Sequence, residues 1–174
     1  MKYAALLRGI NVGLTKRIDM KHLKALFEGL GYTGVSTYIN SGNIRFESDD
    51  TAASIAACLD ACFRKELGFE IPTLIKTLEE MQLIAAEIPA HWQNDTEQRT
   101  DVAYLFDEID NIDIIDRLPF KKDFINVRYV KGAIIWNLSR EHVYKSHLGK
   151  LIGHPHYQKM TMRNVNTARQ LAKE

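Results

Sequence analysis

The stretch from Tyr3 to Lys76 alternates two hydrophobic periods in a fixed order, and that order restricts the folds open to the chain. Tyr3-Ala-Ala-Leu-Leu7 is a continuous apolar run of strand length, closed by Gly9 and Gly13. Asp19 stands where an N-cap belongs, Met20, Leu23, Leu26, Phe27 and Leu30 follow at helical spacing, and Gly31 suits a C-terminal cap. Val35 to Ile39 and Ile44 to Glu47 read as short strands around Asn40-Ser41-Gly42-Asn43, a turn-forming set that predicts a tight hairpin. Thr51 to Leu67 reads as a second amphipathic helix with Ile55, Leu59, Cys62 and Phe63 inward and Gly68 at its end; Ile71 to Lys76 is a fourth strand. Strand, helix, strand, strand, helix, strand is the order of a split βαβ, or ferredoxin-like, unit.

The pattern then nearly recurs. Thr77-Leu-Glu-Glu80 has the spacing of a capping box and starts a connecting helix to about Glu87, and the polar stretch from Pro89 to Thr100 reads as a linker. Asp101 to Asp107 is a strand, Ile109, Ile112 and Ile115 suggest a short helix, and Phe124 to Val130 with Ala133 to Ser139 form a hairpin around Lys131-Gly132. Helices are expected at 140–152 and 164–173, and no closing strand is evident. The expectation is an α+β protein of two ferredoxin-like units with mixed or antiparallel sheets: residues 1–88, then a related unit at 89–174 that is incomplete or variant.

At 174 residues and 45% hydrophobic, the chain has enough core for such units without disulfide staples. No apolar run reaches the roughly 18 residues of a membrane span, and the run after Lys2 is broken by Arg8, too early for a signal peptide. These features predict a cytoplasmic protein that does not engage membranes, with Cys58 and Cys62, four apart on a helix, reduced. The net charge of +1 hides a segregation: residues 90–116 carry eight acidic residues and one basic, whereas 117–173 carry twelve basic and two acidic. Such runs usually make solvated faces, but a basic final third keeps an anionic partner, nucleic acid included, open.

Topology points to where ligand chemistry could gather. In a ferredoxin-like unit the first strand exits at the sheet end where the second and third strands turn, so Arg8-Gly9-Ile10-Asn11 and Asn40-Ser41-Gly42-Asn43 should converge on one rim. A forked cation, amide groups and glycines suit an anionic or carbonyl-bearing ligand. The competing reading is that these residues only build turns. Gly9 to Gly13 with Lys16 and Arg17 before a helix fails the phosphate-loop pattern, having three residues between its glycines and Leu14 after them. No dinucleotide fingerprint exists either, so no cofactor is assigned. In Thr161-Met-Arg163-Asn164-Val-Asn166-Thr167, Asn164 reads as an N-cap and Arg163 as a neighbour that could add charge to an anion site.

Other constellations carry less. His142, His147, His154 and His156 fall close together, but no cysteine joins them in a ligand set, and no metal is assigned. Asp107, Asp110, Asp113 and Asp116 match a solvated acidic face better than a magnesium site. Ser41 lies in no nucleophile elbow and the cysteines lack an electropositive setting. Gly42 to Phe46 offers one aromatic where an RNA-recognition sheet offers several, so Phe46 reads as core.

Leu6-Leu-Arg-Gly-Ile-Asn-Val-Gly13, Thr37-Tyr-Ile-Asn-Ser-Gly-Asn-Ile-Arg-Phe46 and Thr161-Met-Arg-Asn-Val-Asn-Thr167 resemble the start, middle and end of the family catalogued as domain of unknown function 1697. The resemblance implies a cytoplasmic, mostly bacterial α+β protein of two similar halves, and no particular activity. Leu14 stands where members usually carry a second Gly, and Val165 where they carry Trp. The shared polar positions kept here are Arg8, Gly9, Asn11, Gly13, Ser41, Gly42, Asn43, Arg163, Asn164, Asn166 and Thr167.

That set holds arginines, amides and hydroxyls but no acid or base that titrates near neutral pH, which suits holding a ligand better than moving protons. The leading expectation is a protein that binds a phosphorylated metabolite or nucleotide through Arg8, Asn11, Ser41, Asn43, Arg163, Asn164, Asn166 and Thr167, in one pocket if the halves pack face to face. The alternatives are an enzyme drawing its acid or base from the histidines, and weak nucleic-acid binding through the basic final third.

Overall fold

A computed structural model describes every residue from Met1 to Glu174 apart from Thr15. The chain divides into two compact units, Met1–Met81 with Glu174, and Gln82–Lys173. Among the described residues no helix is long and apolar enough to cross a membrane.

The first unit follows the expected order: β1 (Lys2–Leu7), α1 (Met20–Gly29), β2 (Thr33–Thr37), β3 (Asn43–Glu47), α2 (Ala52–Leu67) and β4 (Thr73–Thr77). The sheet runs β2-β3-β1-β4 with every pairing antiparallel. Each element ends where its local chemistry directs. Asp19 accepts from the Lys21 amide at 2.9 Å to cap α1, Thr51 Oγ1 accepts from Ser54 N at 3.2 Å to cap α2, and Gly68 closes α2 at φ +77°. Tyr3 to Leu7 are all buried, which explains the unbroken apolar run of β1. Alternate residues of the strands meet Leu23 and Phe27 of α1 and Ile55, Leu59 and Phe63 of α2 in one core. Phe46 lies at its centre, with ring centroids 4.9 Å from Tyr32 and 5.3 Å from Phe27. Tyr3 stacks on Phe46 and donates its hydroxyl to Asp50 O at 2.7 Å, so neither ring stands on an open sheet face.

Helix α3 (Leu78–Ala86) starts with the expected capping box: Glu80 Oε2 accepts from Thr77 N at 2.8 Å and Thr77 Oγ1 accepts from Glu80 N at 3.1 Å. The second unit adds β5 (Gln98–Leu105), α4 (Ile114–Arg117), β6 (Asn126–Val130), β7 (Ala133–Ser139), β8 (Met160–Asn164) and α5 (Val165–Leu171). Its sheet runs β6-β7-β5-β8, again all antiparallel, the same positional order as the first. The closing strand that the sequence did not reveal is β8, so the unit is not incomplete in its sheet. It is variant in its second helix. In place of a helix over 140–152 stand short 3-10 turns at Arg140–His142 and Leu148–Leu151, and a third follows at Pro155–Lys159. His147 at φ +61°, Gly149, Gly153 and Pro155 interrupt any longer run. Trp136 of β7 is fully buried against Phe120, with centroids 5.3 Å apart.

The segregated charges fold onto one another. Lys122 reaches Asp116 at 2.6 Å, Lys159 reaches Glu108 at 2.9 Å and Lys131 reaches Asp110 at 2.8 Å. Asp110 is not part of a solvated face: only 3% of its side chain is exposed, and it also accepts from Tyr129 Oη and the Gly132 amide, both at 2.9 Å. It thereby ties the turn after β5 to the β6–β7 hairpin. Burial alone would raise its carboxyl, but Lys131, the Gly132 amide and Tyr129 outweigh burial and hold it below the ordinary range.

Candidate functional site

The two predicted loops of the first unit meet at one rim, and three kinds of contact join them. Leu7 N donates to Gly42 O at 2.8 Å. Gly42 is packed so closely that a Cβ there would lie 2.8 Å from Leu7 Cβ and 2.9 Å from Ile10 Cδ1. Asn11, at φ +53°, has its whole side chain engaged: Nδ2 donates to Ile18 O at 3.0 Å and Asn40 O at 2.9 Å, and Oδ1 accepts from Ile18 N at 2.8 Å. Asn is among the few residues that tolerate this left-handed backbone, which explains its presence at the position. Asn43 is fully buried and donates to Tyr38 O and Ser41 Oγ, both at 3.0 Å, closing the hairpin from inside. Arg8 is half-buried at the end of β1, its amide donating to Pro72 O at 2.9 Å.

Beside these loops lies a cavity of about 590 Å³ lined by Asn11, Arg17, Ile18, Asp19, Met20, Lys21 and Asn40. Its floor is the first turn of the ten-residue helix α1, and its walls are the β1–α1 loop and the hairpin tip. Arg17 donates to Gly13 O at 3.3 Å, and neither Arg17 nor Lys21 has a carboxylate partner among the described residues. The one carboxylate of the lining, Asp19, accepts from the Lys21 amide and keeps its charge, so Arg17 and Lys21 outweigh it by one positive charge. Of the predicted residues, then, Asn11 lines the cavity, while Ser41 and Asn43 brace the hairpin that forms its wall. Sequence reasoning did not select Arg17, Lys21 and Asn40 as ligand residues. The signal existed in Lys16 and Arg17 ahead of a helix, and comparison with a phosphate-loop spacing set it aside.

In the second unit the predicted segment spans β8 and the start of α5. Arg163 is buried in β8, with Nη1 donating to Thr161 Oγ1 at 3.0 Å and Met162 O at 2.8 Å. Burial pulls its pKa down to about 10, and the Tyr104 phenol nearby, itself pushed upward by burial, works in the opposite direction on the arginine. Asn164 caps α5, accepting from Thr167 N at 3.0 Å; Thr167 is buried and Asn166 is exposed. These residues hold a strand–helix junction, and the seven-residue α5 has its capping position filled by Asn164.

The other constellations resolve structurally. His154 Nδ1 accepts from His156 N at 3.2 Å and their rings lie 5.0 Å apart, with the His156 imidazole held below its ordinary pKa by burial, by His154 and by Arg117. Among the described residues no three His, Cys, Asp or Glu side chains are placed to hold a metal ion. Cys58 and Cys62 are free thiols, and burial foremost pushes Cys62 upward, away from a reactive thiolate.

Comparison with known proteins follows the fold. No curated protein matches the chain. The solved structure of the conserved bacterial protein SP0830 from Streptococcus pneumoniae is similar to it at 30% identity and a TM-score of 0.85, over 98% of this chain and 96% of that one. The family described as protein of unknown function (DUF1697) matches residues 1–136, more than three quarters of the sequence, and the chain belongs to that family.

Proposed function

We propose that the protein binds a small anionic ligand, a phosphorylated metabolite or nucleotide, in the cavity of its first unit. The observation that carries the reading is a concave space of about 590 Å³ whose lining holds two cations without an ion-pair partner among the described residues, Arg17 and Lys21, against the single carboxylate of Asp19, which caps α1. A helix N-terminus and a guanidinium fork favour the same ligand charge, and the volume falls within the range of small-molecule sites. Asn40 and the bracing bonds of Asn11 add a wall that is already formed, so ordering the site costs little on binding. Ser41 and Asn43 support that wall, and Arg8 stands at the end of β1 beside the same loops. The lining offers no histidine or cysteine, which favours binding over acid–base chemistry. This ligand class and the reduced cysteines fit a cytoplasmic protein.

A thermal-shift series with inorganic pyrophosphate, adenosine diphosphate and glucose 6-phosphate tests the reading. A ligand at 100 times its Kd stabilises by about 2.7 kcal/mol, a readily measured rise in Tm. At least one probe should raise Tm in the wild type, and Arg17→Ala with Lys21→Ala should abolish the rise. No shift with any probe, or a shift that survives both substitutions, overturns it.

A further inference from the structure

Charge pairing within the second unit leaves Lys121, Lys145 and Lys150 without a carboxylate partner among the described residues. The last two lie on a loop whose backbone is hydrogen-bonded to itself: Ser146 N donates to His142 O at 2.8 Å, His147 N to Tyr144 O at 3.3 Å and Lys150 N to His147 O at 3.0 Å. Ser146 is fully buried, its hydroxyl donating to Val143 O at 2.8 Å and accepting from Leu148 N at 3.2 Å. Lys121 N donates to Ser146 O at 2.9 Å and so pins the segment before β6 alongside. The loop is therefore a fixed platform. Tyr144 stands on it 93% exposed. Lys145 Nζ lies 5.9 Å from the Phe124 ring centroid, and the same ring meets His142 at 5.3 Å. Lys121, Lys145 and Lys150 are all exposed. Lys121 and Lys150 are tied to the loop through their amides, on Ser146 O and His147 O, and desolvation first, then both lysines, hold the His147 imidazole below its ordinary pKa. The nearest acids along the chain are Asp123 and Glu141, the latter 3.6 Å from His142.

We propose that this platform binds single-stranded nucleic acid, with Tyr144 stacking on a base and Lys121, Lys145 and Lys150 meeting phosphates. A phenol ring exposed to this degree contributes little to the core and leaves its faces open to a ligand. An open π-face among lysines matches the two chemistries a single strand presents together, base faces and phosphates, whereas a duplex keeps its base faces stacked inside. A membrane surface is less well matched: among the described residues Ile152, 69% exposed, is the one exposed large aliphatic side chain near the loop, and the turns here are too short to form an amphipathic helix. This site lies in the second unit and does not rest on the cavity of the first.

Fluorescence polarisation of a labelled oligouridine of about ten nucleotides with the full chain tests it. The expected binding weakens with salt, log K against log salt having a slope of about −2 for three phosphate contacts on a single strand. Tyr144→Ala should weaken binding about tenfold with that slope unchanged, Tyr144→Phe should bind as the wild type does, and Lys150→Gln should reduce the slope by about 0.7. Lys65→Gln, an equal charge loss on α2, should leave the slope unchanged. Absence of binding at about 20 mM salt overturns the proposal. So does a neutral Tyr144→Ala, heparin binding of equal strength without dependence on Tyr144, or tighter binding to phosphatidylserine vesicles than to the oligonucleotide.

Discussion

Gly42→Ala places a methyl group where the rim of the first unit has no room for one. The new Cβ would stand 2.8 Å from Leu7 Cβ and 2.9 Å from Ile10 Cδ1, at a backbone φ of +76°. Leu7 Cβ is fixed to a central strand, and Leu7 N donates to Gly42 O at 2.8 Å, so moving the hairpin away sacrifices that bond. The left-handed backbone costs about 1 kcal/mol for a residue with a Cβ, and overpacking adds about 1–3 kcal/mol, giving a loss of about 3 kcal/mol. Gly9→Ala is the control. Its φ is +74° but nothing lies within 4 Å of the added atom, so only the backbone cost of about 1 kcal/mol applies. Equilibrium urea unfolding followed by circular dichroism measures both. If the two variants agree within about 0.5 kcal/mol, or Gly42→Ala costs less than about 1.5 kcal/mol, the close approach of hairpin and β1 loop is wrongly described.

Three further outcomes follow from the same geometry. Asn11→Ala removes three hydrogen bonds and the residue type that favours φ +53°, and should cost about 3 kcal/mol in the same urea assay. Asp110→Asn should destabilise by about 2 kcal/mol near neutral pH. The folded Asp110 carboxyl titrates below its unfolded value, so its stabilisation is complete above about pH 4 and fades as pH falls through the folded pKa; the gap between wild type and variant should close in acid. A double-mutant cycle on Glu108 and Lys159, 2.9 Å apart but exposed, should give a coupling below about 1 kcal/mol that vanishes in molar salt.

Much of the first unit was legible because each element carried its own boundary marker. Asp19, Gly31 and Gly68 act where they were read, Thr51 caps α2 where it was read as its first residue, and the hairpin at Asn40 to Asn43 follows from turn chemistry. The second unit was harder for an identifiable reason. Strand β8 is only Met160–Asn164, and its last residue also caps α5, so the capping signal drew attention from the short strand before it. The helix read over 140–152 failed because His147 takes a left-handed backbone, something its side chain does not announce. At the site, polar residues in family motifs were read as facing a ligand, yet Asn11, Asn43 and Asn164 spend their hydrogen bonds on backbone groups or a neighbouring hydroxyl. An amide side chain satisfies an internal loop as readily as a ligand, and only geometry separates the two uses. The opposite charge runs also cancelled locally, Lys122, Lys131 and Lys159 each finding an acid from the preceding segment.

The central claim, anion binding at the rim of the first unit, is tested most directly by titrating the isotope-labelled protein with pyrophosphate and following backbone amide resonances. The account predicts saturable shifts concentrated at Asn11, Arg17 to Lys21 and Asn40, lost when Arg17 and Lys21 are both replaced by Ala. Shifts that never saturate, or that fall elsewhere and leave the first turn of α1 unmoved, would contradict it.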